Sequence, residues 1–339
     1  MTTRTHTSAS AAAQFATDVQ YYLALVPRQL PSRYLYDELG SALFDAICAL
    51  PWYGITRAET RLLAAHGRAI LASVPGLTTI IELGPGSGAK LATLVDVGRL
   101  STERLDLRLV DISPSALALA SRTLTALPNV NIVTYEETYE AGLLQAAGET
   151  FAGRALVLFL GSNIGNFDRP GAEEFLCGVR AGLRRGDALL MGADLVKAER
   201  DLLLAYDDPL GVTAAFNRNL LVRINRELGG NFDVGQFAHR AVWSPTASRV
   251  EMHLVSKVTQ RVRIAAPGVG AALENNNLNV DAEIGVDIVF GEGESIWTES
   301  SYKYRPDELI LNLERAGFRL VKQWMDQDDG FALTLSEAV

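Results

Sequence analysis

The stretch Leu77–Lys90, LTTIIELGPGSGAK, constrains the fold more than any other part of the chain. A short apolar run rich in β-branched residues ends at Leu83, and a glycine-rich turn follows, Gly84-Pro85-Gly86-Ser87-Gly88. Beyond Lys90, Leu91, Ala92, Leu94, Val95 and Val97 recur at spacings that a helix uses. Strand, glycine turn and helix in this order open a doubly wound nucleotide-binding sheet, so an α/β fold is expected. Without Cβ atoms the turn can adopt unusual backbone angles and let a ligand lie against the main chain. The spacing excludes two relatives of the motif. A dinucleotide fingerprint would need its third glycine where Ala89 stands, and no Gly-Lys-Ser/Thr follows to make a phosphate loop.

The text after the turn keeps the same rhythm. Near-continuous apolar segments are expected as strands at Asp106–Asp111, Val130–Tyr135, Ala155–Leu160 and Ala188–Leu195, joining a first strand at Thr78–Leu83. Strands of this kind, separated by helices, suit a sheet covered on both faces. Ser113-Pro114 predicts the start of a helix running to Leu127, and a second helix is expected over Pro170–Leu183 with its C-cap near Gly186. Asp111 closes the second strand about twenty residues past the glycine turn, where an acid can accept both ribose hydroxyls of a nucleoside or cap the helix that follows. Glu136 and Glu137 end the third strand, where adenine recognition is expected.

The flanks read differently. Residues Phe15–Ala49 are mostly helical, with a second helix over Asp37–Leu50, and Thr56 with Glu59 three residues on predicts a capping box for a helix reaching about Ile70. His66 on that helix reads as structural. Lys197–Arg226 is a long helical region broken at Asp207-Asp208-Pro209. Strands are expected at Ala241–Trp243 and Ser248–Ile264, and an exposed loop at Ala265–Asp281. A helix opening at Arg305-Pro306 and strands at Phe318–Trp324 and Phe331–Leu335 would supply a closing hairpin. The expected division is a loose segment over 1–14, the helical part of a substrate-binding lobe over 15–60, the nucleotide-binding domain over 61–196, an inserted α+β lobe over 197–304, and a return to the first domain over 305–339.

Composition narrows the functional classes. The 339 residues are 48% hydrophobic and 21% charged, with a net charge of -9, which opposes a nucleic-acid substrate because no basic stripe offsets it. Cys48 and Cys177 sit in apolar helical contexts and are expected as buried thiols. Without C-x-x-C or H-E-x-x-H, no metal is expected. The N-terminal text MTTRTHTSASAAAQ lacks the apolar core of a signal peptide or a membrane span, so a cytoplasmic protein without membrane contact is expected. A monomer is the expected state.

An acidic residue just before G-x-G-x-G, as in Glu82-Leu83-Gly84-Pro85-Gly86-Ser87-Gly88, resembles the first motif of class I S-adenosylmethionine-dependent methyltransferases. Longer patches sharpen the resemblance: RYLYDELGSALFDAI, LPWYGITRAE, ELGPGSGAK, LFLGSNIGNF, DLVK, AYDDPLGVTAAFNRNLL, INRELGGNFD, RVEMHL and TESSYKYRP. From about residue 33 to the C-terminus, in the same order, they resemble the histidine-specific S-adenosylmethionine-dependent methyltransferase family, typified by the L-histidine Nα-methyltransferase of ergothioneine biosynthesis. That resemblance implies a class I methyltransferase domain with a closing antiparallel hairpin plus a second α+β substrate-binding lobe. It implies cofactor contacts at Gly84, Gly86, Lys90, Asp111 and Glu136; relatives carry Asp-Phe where this chain has Glu136-Glu137. It places Tyr53, Asn166 and Tyr206 at the substrate's carboxylate and amine, and Tyr36 beside the reacting amine. Tyr36 and Asn166 are thus the candidate catalytic residues. Phe44, Gly161, Asn163 and Met252 match pocket-lining positions, relatives often having threonine for Asn163. Glu299 and Ser301 match the pair that grips an imidazole.

The implied reaction is three transfers of the sulfonium methyl to the α-amine of L-histidine, giving hercynine and S-adenosylhomocysteine. A carboxylate and a hydroxyl can read imidazole, and an apolar ring would leave that carboxylate unpaired. The alternatives are a methyltransferase for another free amino acid, such as tryptophan or a prenylated tryptophan, and a non-catalytic nucleotide-binding module. Glu299 argues against the first, and the intact glycine turn with Asp111 argues against the second.

Overall fold

The computed structural model describes residues 8–98, 104–149, 152–265 and 286–339. In chain order they form α1 (Ser8–Ala24), β1 (Arg28–Gln29), α2 (Glu38–Cys48), α3 (Ile55–Ala72), β2 (Leu77–Leu83), α4 (Ala89–Gly98), β3 (Leu105–Asp111), α5 (Pro114–Leu124), β4 (Val130–Glu136), α6 (Tyr139–Gly148), β5 (Arg154–Phe159), α7 (Arg169–Ala181) and β6 (Ala188–Asp194). There follow α8 (Glu199–Tyr206), α9 (Val212–Leu228), β7 (Phe237–Ser244), β8 (Arg249–Ser256), β9 (Gln260–Ile264), β10 (Val286–Phe290), β11 (Ser295–Tyr302), α10 (Pro306–Arg315), β12 (Phe318–Asp326) and β13 (Phe331–Ala338). The chain divides into two compact units.

The larger unit holds Tyr53–Ala198, Thr246–Ser248 and Ser301–Val339. Its seven-stranded sheet has the order β12-β13-β6-β5-β2-β3-β4. Strands β2 to β6 run parallel, and β13 and β12 close the edge antiparallel. The central strands are apolar on both faces because helices cover both; every residue of β6 is buried. The outer strand β4 is mostly half-buried, as an edge should be. Short polar caps start the covering helices. The Ser113 hydroxyl accepts the Ala116 N–H at 3.3 Å with Pro114 at the first turn of α5, and the Asp168 carboxylate accepts the Gly171 N–H at 2.8 Å at the start of α7. Strand order reverses between β2 and β5, which is where open α/β sheets take ligands at the carboxyl edge.

The smaller unit holds Met1–Trp52, Glu199–Pro245 and Arg249–Ser300. Its sheet has the order β1-β11-β8-β7, and β9 and β10 pair as a separate antiparallel ribbon. Asp37 caps α2 through the Gly40 N–H at 2.7 Å and ties the helix to α9 through Asn219 and Arg226, each at 2.6 Å. Rings of Phe232, Phe237 and Phe290 pack edge-on or tilted, with centroids 5.4–6.0 Å apart.

Several expectations are corrected. Thr56 is not an N-cap: α3 begins at Ile55 with Gly54 at the cap, and Glu59 turns inward. Helix α7 ends at Gly182, while Gly186, at φ 88°, turns the chain into β6. Cys177 is exposed and Cys48 half-buried, because α7 buries Ala172, Phe175, Leu176 and Val179 and leaves 177 on the opposite side. The segment Ser248–Ile264 is two strands, broken after Ser256. Residues 8–14, expected as loose, belong to α1. Tyr53–Thr60 and Ser301–Tyr304, expected in the smaller lobe, fall in the larger unit, since α3 packs on α4 and on the β12–β13 edge. The expected loop Ala265–Asp281 lies outside the described residues from 266 onward.

Candidate functional site

In the larger unit the glycine turn leaves β2 with three left-handed residues: Gly84 at φ 74°, Gly86 at φ 53° and Gly88 at φ 75°. Each glycine has a different reason. A Cβ on Gly84 would lie 2.9 Å from the Tyr139 hydroxyl and 3.1 Å from Asn163 Nδ2, and one on Gly88 would press on the Ala120 backbone of α5. A Cβ on Gly86 would meet nothing within 4 Å among the described residues, so this turn presents open backbone.

Around the turn are carboxyl groups and one lysine. Glu82, the residue before Leu83, is 2% exposed, and its Oε2 has no hydrogen-bond partner among the described residues. Burial pushes its carboxyl up to about 8; the Lys90 ammonium pulls the other way, and Glu59 and Asp111 add to the rise. Asp111 ends β3 opposite Glu136 on β4. Its Oδ1 accepts the Ser113 N–H at 2.9 Å, and burial raises its pKa against the backbone hydrogen bonds that lower it. Glu136 itself is exposed, and Glu137 is half-buried and accepts from Gln145 at 3.2 Å. Tyr139, which sequence reasoning missed, stands against Gly84 with its phenol pKa driven up by burial.

Lys90 and Gly161 meet at a residue that was read as a helix cap. Glu59 Oε2 lies 2.5 Å from Lys90 Nζ, and both Glu59 oxygens accept the Gly161 N–H at 2.9 Å. Gly161, at φ 76°, and Ser162, at φ 60°, turn the chain out of β5 into a short 3-10 helix, Asn163–Asn166. Asn163 is half-buried and Asn166 exposed. Tyr53 is buried, and its carbonyl accepts from Arg57 at 3.1 Å. Ser301 is buried, and its hydroxyl accepts from Lys303 at 2.9 Å. Lys303, fully buried, is neutralised by Asp194 at 2.9 Å.

In the smaller unit Tyr36 and Phe44 come together with Phe216, a third ring supplied by the motif LGVTAAFNRN of α9. Tyr36 stands 5.5 Å from Phe44 and 5.4 Å from Phe216, both edge-on. Tyr206, the last residue of α8, is buried, and its carbonyl lies 2.8 Å from His239 Nε2. Met252 is buried on β8, and its carbonyl accepts from Thr298 at 3.0 Å. Glu299 is half-buried on β11, and its carbonyl accepts from the Trp297 indole at 2.8 Å. The glycine turn, Lys90, Asp111, Glu136, Gly161 and Asn163 thus gather at the carboxyl ends of β2 to β5, while Tyr36, Phe44, Tyr206, Met252 and Glu299 belong to the smaller unit.

A family described as histidine-specific, S-adenosylmethionine-dependent methyltransferase matches residues 15–338. A histidine N-alpha-methyltransferase of Mycolicibacterium smegmatis is 37% identical over 328 residues, covering 96% of each chain. One of the same description from Mycobacterium tuberculosis is 38% identical over 323 residues, covering 94% of this chain and 93% of that one. Ergothioneine biosynthesis protein 1 of Neurospora crassa is 31% identical over 256 residues, covering 70% of this chain and 29% of that one. With the methyltransferase sheet order, the open glycine turn at its switch point and a family match across nearly the whole sequence, this chain belongs to the histidine-specific, S-adenosylmethionine-dependent methyltransferases.

Proposed function

We propose that the chain methylates the α-amine of free L-histidine three times, to hercynine, as the entry reaction to ergothioneine biosynthesis. The single observation that carries this is the family match over residues 15–338, which includes every residue to which a role is given below. The larger unit suits the cofactor: open backbone at Gly86 and a buried Glu82 oxygen without a partner among the described residues leave both room and an unused polar atom beside the turn. Gly84, Gly86, Lys90, Asp111 and Glu136 would hold S-adenosylmethionine, with Asp111 on the ribose diol. When bound, that cofactor supplies an electrophilic sulfonium methyl.

The remaining chemistry belongs to the chain's own residues. An α-ammonium has no lone pair, so before each transfer it must release one proton to solvent to act as a nucleophile. Tyr36 is the group assigned to orient the amine and accept its hydrogen bond, its ring fixed by Phe44 and Phe216. Asn166, Tyr53 and Tyr206 hold the carboxylate and amine, and Gly161, Asn163 and Met252 line the substrate. Glu299 accepts an imidazole N–H, and Ser301, two positions on, completes the pair. Such positioning can supply much of a displacement's barrier reduction. As methyls accumulate the amine loses donors and gains bulk, and aromatic faces tolerate alkylated ammonium well. We further propose a cytoplasmic monomer.

Competition between histidine and tryptophan, scored by product mass for wild type and Glu299→Ala, tests the reading. Wild type should give trimethylated histidine and nothing from tryptophan. The variant should lose about 1.5–3 kcal/mol of histidine preference, the usual worth of a charge-assisted hydrogen bond. A wild type that prefers tryptophan would overturn the histidine assignment and leave the methyltransferase standing.

A further inference from the structure

We infer that Glu59 is a positioning residue that holds Lys90 for the cofactor and fixes the Gly161 turn for the substrate. The inference rests on the roles proposed above for those two residues. Glu59 itself is 0% exposed on α3, and a carboxyl group in such a place is unfavourable unless it is fully paired. Among the described residues it is paired twice, to two residues of the ligand edge: the Lys90 ammonium at 2.5 Å and the Gly161 N–H at 2.9 Å to each oxygen.

Two further segments are shaped around it. Gly192 follows Leu189, Leu190 and Met191 on β6, and a Cβ there would fall on Glu59 Oε1. Gly192 is not among the left-handed glycines of the chain, so its lack of a side chain serves space and not backbone conformation. The turn that Glu59 grips carries two consecutive left-handed residues, and the second, Ser162, is not a glycine. Such a conformation persists only where neighbours over-determine it. Here Glu59 fixes the Gly161 amide from one side, and the Ser162 hydroxyl accepts the Asp194 N–H at 2.9 Å from the other.

The test separates the two grips. Glu59→Gln keeps shape and can still accept the Gly161 N–H, but it turns an amide donor toward Lys90. S-adenosylhomocysteine binding by calorimetry, histidine KM and kcat, and Tm are measured for Glu59→Gln, Glu59→Ala, Lys90→Gln and the Glu59→Gln/Lys90→Gln double variant. Glu59→Gln should raise the S-adenosylhomocysteine Kd roughly tenfold and move histidine KM less than about twofold, as expected when one charge-assisted contact is lost. Glu59→Ala should raise both. The double variant should bind no more weakly than Lys90→Gln, the mark of two residues acting as one unit. Gly192→Ala, which displaces Glu59 without removing it, should copy the cofactor defect. If Lys90→Gln weakens S-adenosylhomocysteine binding and Glu59→Gln does not, the proposal is overturned and the Lys90 assignment stands. If neither does, the Lys90 assignment falls and takes the proposal with it. A lowered Tm with unchanged Kd and KM would leave Glu59 structural only, and would also overturn it.

Discussion

Glu82→Gln should make the protein more stable at alkaline pH and leave it nearly unchanged at acid pH. The carboxyl is fully buried beside a second buried carboxyl, Glu59, and burial lifts its pKa from 4.5 to about 8. Below about pH 4.5 both the folded and the unfolded chain hold this proton, so the group costs nothing. Between 4.5 and 8 the unfolded chain releases it and the folded chain keeps it, and stability falls as pH rises. Above 8 the folded chain must ionise as well, and the loss levels off. At roughly 1.4 kcal/mol per pH unit, the full loss is on the order of 3–5 kcal/mol. Glutamine has nearly the same shape and never ionises. Urea unfolding of both proteins without cofactor, at pH 5, 7 and 9, measures the difference. The curves should coincide within about 1 kcal/mol at pH 5 and separate steadily toward pH 9, with the variant the more stable. Parallel curves across the range would show that Glu82 is ionised in the folded state, and the picture of a neutral carboxyl behind the glycine turn would be wrong.

Asp111→Ala should weaken S-adenosylhomocysteine binding by about 1.5–3 kcal/mol in calorimetry, because it removes a charge-assisted acceptor for a ribose diol; unchanged affinity in a folded variant would remove Asp111 from the site. Tyr36→Phe should lower kcat while leaving histidine KM within roughly threefold, since the hydroxyl is assigned to the reacting amine and the ring contacts survive; wild-type turnover from neutral to alkaline pH would dismiss it.

The sheet was legible because burial on both faces leaves no alternation to misread. The run at Leu156–Phe159 is apolar throughout, those at Ile80–Leu83 and Leu107–Val110 are interrupted only by the buried Glu82 and Arg108, and the observed strands differ from the expected ones by at most a residue at either end. The glycine turn was legible for a similar reason, since three glycines in five residues have few uses. Glu59 was hidden by coincidence: Thr56 three residues before it mimics a capping box. The better signal was its place on the apolar stripe Ile55, Ala58, Leu62, Leu63, where a carboxyl has no reason to be unless something charged awaits it. Tyr139 and Phe216 could not be found by spacing, because their partners, Gly84 and Tyr36, are distant in sequence and only the fold brings them close. The cysteines were misplaced because an apolar helix has two sides, and composition does not say which of them Cys177 takes.

The Tyr206 carbonyl is held by His239, a histidine with one usable protonation state. Asn217 Nδ2 donates to the His253 carbonyl at 3.2 Å, which fixes the orientation of its amide. The same nitrogen lies 3.0 Å from His239 Nδ1, so Nδ1 must be the acceptor, and Nε2 carries the hydrogen that reaches the Tyr206 carbonyl at 2.8 Å. A proton added to Nδ1 would face the Asn217 N–H. Burial lowers the His239 pKa below 6.5; the Tyr206 carbonyl and Asp207, whose carboxylate lies 3.9 Å from Nε2, oppose that, Arg218 reinforces it and Asp208 opposes it more weakly. The neutral form, and the anchoring it gives, is therefore fully present above 6.5 and is lost as pH falls through the lowered value. His239→Gln can donate to Tyr206 and accept from Asn217 without titrating. Comparing kcat/KM of the two proteins from pH 5 to 8 cancels the substrate's own ionisation, which is common to both. The ratio of variant to wild type should rise toward acid pH. A ratio flat across that range would show that protonating His239 does not disturb Tyr206, and the histidine would be no more than a buried neighbour.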